Sequence, residues 1–145
     1  MVMKVGERPT TVTAIKKIAR GMRELEALYE PSVYATLPRL ALVHPSLYLT
    51  EAWRSVQNVD RTIEYGLKLL RNFGILTEVQ EDSFRIVHNT GFVNVETVRV
   101  LKYLAEGYAA KENKTLADKC WEVARKWFVV ITGAEAGVEE FLGKS

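Results

Sequence analysis

Apolar residues recur along the chain at three- and four-residue intervals, and proline, glycine and asparagine interrupt them, so the pattern predicts a mainly helical protein. A first helix is expected from about Thr11 to Tyr29, with Ile15, Ala19, Met22, Leu25 and Tyr29 on its apolar side and Lys16, Lys17, Arg20 and Arg23 away from it. A second is expected over Ser32 to Val43, kinked at Pro38 or starting near Thr36, and stopped by His44-Pro45-Ser46. Leu47-Tyr48-Leu49 reads as extended, and Thr50 as the cap of a brief helix, Glu51 to Val56. Asn58-Val59-Asp60 reads as a turn, with Asp60 capping a helix from Arg61 to Phe73 that Gly74 ends. Two short β-like runs follow, Ile75 to Val79 and Phe84 to His88, joined through Gln80-Glu81-Asp82-Ser83 as a hairpin. Asn94 should cap a long helix reaching about Ala110, with Val95, Val98, Leu101, Ala105 and Tyr108 as its stripe. A last long helix spans about Thr115 to Ile131, and a short amphipathic tail covers Ala134 to Leu142.

The helix beginning at Asp60 carries two stripes. Ile63, Leu67 and Leu70 share one narrow sector, which is the expected core face. Arg61, Tyr65, Lys68 and Asn72 fall at i, i+4, i+7 and i+11 and are expected to face outwards together. Such side chains can donate to phosphates and base edges.

A chain of 145 residues fits a single domain with its own core. No run has the ~18 uncharged apolar residues of a membrane span, and the N-terminus MVMKVGERPT has no secretory hydrophobic region, so an intracellular, cytoplasmic protein is expected. Cys120 is the one cysteine, which excludes an internal disulfide; it lies on the apolar stripe of the last long helix and is expected to be buried and structural. With only His44 and His88, and no glycine-rich phosphate loop or paired carboxylates, neither a metal site, a cofactor nor catalysis is expected. The acids are mostly glutamate and there are two glutamines, a composition that leans towards a heat-adapted source. Formal charge is only +2, so any contact with nucleic acid must come from local charge placement.

The segment LALVHPSLYLTEAWRSVQNVDRTIEYGLKLLRNFGILTEVQEDSFRIVHNTG resembles the winged helix-turn-helix core of prokaryotic transcriptional regulators. The resemblance runs through YLTEA, then RTIEYGLKLL as recognition helix, GIL leading into the wing and FRIVHNTG returning from it. One helix before this core and two long ones after it are similar to the layout of the MarR family and its archaeal relatives. That resemblance implies a mainly α fold with a small β-hairpin wing: a DNA-binding core over 32–91, with helices over 10–30 and 94–142 completing it and forming a dimerisation region.

The resemblance further implies a homodimeric, sequence-specific regulator of transcription on a palindromic duplex operator, with an unidentified small-molecule effector. Arg61, Tyr65 and Lys68 would enter the major groove, Thr62 and Asn72 would lie at its edges, and Arg54 and Arg85 would contact the backbone. Leu116, Trp121, Val123, Trp127, Phe128 and Ile131 offer more apolar width than one such chain easily buries, and are the expected dimer interface. Alternatively, the tail from Ala134 folds back over those aromatics. Five bases stand against six acids between Thr50 and Thr90, and the Glu81-Asp82 wing tip is acidic. These features support a competing reading, a winged helix used for protein contact in an archaeal or viral transcription or replication assembly.

Overall fold

The computed structural model describes residues 9–29, 40–73, 75, 77–80, 83–86, 93–133 and 137–143. Helix α1 is Pro9–Tyr29, and a single 3₁₀ turn, Leu40–Leu42, leads directly into α2, Val43–Ser55. The pattern missed this continuity. His44-Pro45 does not stop a helix but starts one, because a proline in the first turn has no intrahelical hydrogen bond to forfeit. Leu47-Tyr48-Leu49 is therefore helical, and Thr50 lies mid-helix and buried, its hydroxyl donating to the Ser46 carbonyl at 2.7 Å. The helix expected over Ser32 to Val43 falls largely outside the described residues.

Helix α3, Val59–Asn72, follows after the turn Val56-Gln57-Asn58, where Gln57 takes a left-handed conformation at φ 62°. Asn58, not Asp60, is the cap: its side-chain oxygen accepts from the Arg61 N–H at 3.0 Å. Strands β1, Thr77–Gln80, and β2, Ser83–Ile86, pair antiparallel with Gln80 opposite Ser83. Helix α4, Val95–Ala110, begins with a reciprocal capping box between Asn94 and Thr97. Helix α5, Lys114–Thr132, is capped by Asn113 and ends on left-handed Gly133; α6, Val138–Leu142, closes the chain.

The expected winged helix-turn-helix is not the architecture found. A wing belongs to a sheet, and the described residues are built mostly of helices. Its only extended pairing among the described residues is a ribbon of two four-residue strands, and no third strand joins it. The core is instead helix on helix: α3 is packed between α2 and α4, and α4 lies antiparallel along α5. Val98, Leu101, Leu104 and Ala105 of α4 meet Leu116, Cys120, Val123, Ala124 and Trp127 of α5 in the main cluster, where Leu69, Leu70 and Ile75 join them. A second cluster seats α1 on α2 and α3 through Ile15, Ala19 and Met22 against Leu42, Leu49 and Tyr65. Beside it the Trp53 indole N–H is buried without an acceptor.

The helices expected to dimerise are largely consumed within one chain. Leu116, Val123 and Trp127 are buried against α4, and Trp121 and Phe128 are half-buried. Helix α6 covers part of this surface: Val138 and Leu142 are buried, and Phe141 meets Phe128 with ring centroids 5.1 Å apart. Of the expected interface only Ile131 stands exposed, next to exposed Val130 on α5; Val95, at the start of α4, is exposed as well.

Candidate nucleic-acid interface

Successive residues on a helix are turned by about 100°, so α3 can be divided into three arcs. One faces α4. Gly66 and Gly107 let the two helices approach until a β-carbon on Gly107 would lie 2.9 Å from Ile63, and one on Gly66 2.9 Å from Leu104. The second arc, Thr62, Tyr65, Leu69 and Asn72, is buried beneath α1 and α2. Thr62 donates back to the Asn58 carbonyl at 2.8 Å, and the Asn72 amide donates to the Ser46 hydroxyl of α2 at 3.3 Å. Tyr65 is 4% exposed. The third arc is open to solvent and carries Arg61, Glu64, Lys68 and Arg71, at i, i+3, i+7 and i+10, flanked by Asp60.

The expected outward stripe is therefore displaced by roughly 60° from the open arc. Arg61 and Lys68 belong to both, Tyr65, Thr62 and Asn72 do not, and Arg71 is the cation that periodicity passed over. One signal was available: Tyr65 and Leu69, four residues apart, form a second apolar line outside the sector of Ile63, Leu67 and Leu70, which a helix with one buried face would not carry. Arg54 also lies elsewhere. It projects beside α4, its guanidinium bonded to Glu106 at 3.0 and 3.1 Å and stacked 4.4 Å from the Tyr103 ring centroid. Together with Gln57, Val59, Thr62 and Gly107 these three line a cleft of about 180 Å³. Burial, then the nearby Glu51 carboxylate, pushes the Tyr103 phenol above its ordinary range. Arg85 sits on β2 opposite Glu78.

The open arc is not a field of free cations. Arg61 donates to Glu64 at 2.8 Å, and Lys68 lies 3.4 Å from Glu26 of α1 and 3.9 Å from Glu64. Arg71 makes no ion pair with any described residue. Among the described residues, the arrangement places one unpaired and two paired cations along nearly three turns of a helix packed on its other sides.

Among the described residues no group of histidine, cysteine and acidic side chains could hold a metal ion. Burial pushes the Cys120 thiol up to about 12, so it is not a nucleophile at neutral pH. No described helix is long and apolar enough to cross a membrane. No family model matches the chain, and neither a curated protein nor a solved structure matches it.

Proposed function

We propose that this protein binds duplex DNA as a regulator of transcription, with the open arc of α3 laid in the major groove. The observation that carries the reading is the arc itself: an exposed edge of a rigidly packed helix, lying after a tight turn and bearing Arg61, Lys68 and Arg71. Arg61 and Arg71 can present two parallel donors to guanine, and Lys68 can reach a phosphate. Exposed surface pairs such as Arg61–Glu64 hold little energy, so a phosphate or base edge can compete with the carboxylate. Binding by two copies at a palindrome is part of the proposal, joined where Val95, Val130 and Ile131 are exposed.

Selection of bound sequences from a random duplex pool, with mass measured in solution alongside, tests this. A consensus with two-fold symmetry and a dimeric mass is expected; no enrichment would reject sequence-specific binding. The competing reading, a module for protein contact, is supported by the carboxylates Glu64 and Glu26 that neutralise Arg61 and Lys68. It expects no duplex binding at any ionic strength.

A further inference from the structure

We infer that the solvent side of α1 is a phosphate-binding surface that carries duplex DNA alongside α3; the inference rests on the DNA-binding reading above. The inner side of α1 is fixed by Ile15, Ala19 and Met22, all buried. Turned away from it are Lys16, Lys17, Arg20 and Arg23, all exposed. Lys16, Arg20 and Arg23 follow one line at i, i+4 and i+7, with Lys17 beside it. The line rises about 10 Å, against about 3.4 Å of duplex axis for each phosphate on a strand.

Among the described residues, cations without a counter-charge cluster on this surface; elsewhere on the described helices only Arg71 of α3 and Lys102 of α4 lack one. Arg54, Arg61, Lys68, Arg99, Lys111, Lys114, Lys119, Arg125 and Lys126 each meet a carboxylate. On α1, Lys16, Lys17 and Arg23 make no ion pair with any described residue. Arg20 reaches Glu24 only at 3.6 Å, with both side chains more than two-thirds exposed. Four cations thus stand against one acid on this side, in a chain whose total is only +2.

The occupant follows from what the surface lacks as well as from its sign. A protein partner is usually gripped by a desolvated aromatic or aliphatic centre from which charge is depleted. The exposed residues here, Thr13, Lys16, Lys17, Arg20, Arg23, Glu24 and Ala27, include one methyl group and no aromatic or large aliphatic side chain, so they supply no such centre. A duplex backbone needs none, because released counterions drive the association. Location agrees, since the contact between Glu26 and Lys68 joins α1 to the open arc of α3.

The experiment is a titration of a fluorescein-labelled 20-base-pair duplex of mixed sequence (about two turns) with the full-length chain, over a range of salt concentrations. It compares wild type with Lys16→Gln/Lys17→Gln/Arg20→Gln/Arg23→Gln, with Arg61→Ala/Arg71→Ala, and with Lys114→Gln/Lys126→Gln as a control on another face. Each phosphate contact contributes about 0.9 to the slope of log affinity against log salt. The α1 variant should therefore lower the slope by roughly 2–4 and weaken binding at least tenfold in low salt. Its thermal midpoint should be unchanged, because the replaced side chains are exposed, and the control should match wild type. If the α1 variant keeps wild-type affinity and slope while the α3 variant loses binding, the inference is overturned and the DNA-binding reading stands. Absence of binding by the wild type overturns both.

Discussion

Tyr65→Ala separates the structure from the pattern of the sequence more sharply than any other single change. Periodicity sends Tyr65 outwards into a DNA groove; the fold buries it, with 4% of its surface exposed, among Ile15, Ala19, Met22, Leu42 and Leu49. Truncating a fully packed aromatic costs about 3–5 kcal/mol. Alanine's better helix propensity offsets about 0.5 kcal/mol of that, leaving roughly 3–4 kcal/mol. For a chain of this size each kcal/mol moves the melting midpoint by about 2–4 °C, so a fall of roughly 6–15 °C is expected. Urea denaturation followed by circular dichroism measures the loss directly as a lower midpoint at unchanged slope. Ile15→Ala should be similarly harmful, and the double variant less harmful than the sum, because the two side chains share one cluster. A Tyr65→Ala chain with wild-type stability and impaired DNA binding would show that the ring faces outwards and that α1 does not cover it.

Three further outcomes follow from the packing. Gly107→Ala should destabilise by about 1–2 kcal/mol in urea, because the added carbon meets stiff, β-branched Ile63 and overpacking outweighs the gain in helix propensity. Phe141→Ala should loosen α6 from Phe128 and raise dye binding to the exposed aromatics; unchanged dye binding would show that α6 is not held there by this contact. Stability should fall as pH rises from about 9 to about 12, where burial keeps Cys120 and Tyr108 protonated in the folded chain while their unfolded counterparts ionise. In that window the unfolded state binds fewer protons, so the sign is a loss. Cys120→Ala should flatten the slope, as read from urea midpoints at neutral and alkaline pH.

The helical character of the chain was legible because α4 and α5 follow simple rules: an asparagine cap, an apolar stripe, and an end at a polar turn or at Gly133. Cys120 was placed correctly on the buried stripe for the same reason. The face of α3 that meets α4 was also legible, since Ile63, Leu67 and Leu70 point there. The second buried face was not, because amphipathic periodicity assumes one apolar side, whereas α3 is enclosed from two. Thr62 and Asn72 look like surface residues in sequence, yet each is satisfied internally, by the Asn58 carbonyl and the Ser46 hydroxyl. The hairpin signal around Gln80 to Ser83 marked a real strand pair, but a winged sheet does not follow from one pair. The surplus of apolar residues on α5 was read as an interface because the tail's part in covering them depends on Gly137, Val138 and Phe141 folding back, which no local pattern shows.

The proposed binding of a duplex where α1 and the open arc of α3 meet requires a steep dependence on salt. Fluorescence anisotropy of a labelled duplex, titrated with wild-type protein at low and at near-physiological salt, measures that dependence. A dissociation constant that rises by two or more orders of magnitude between roughly 50 and 200 mM salt is predicted, as for about four or more phosphate contacts. An anisotropy that stays flat at the lower salt would contradict the claim.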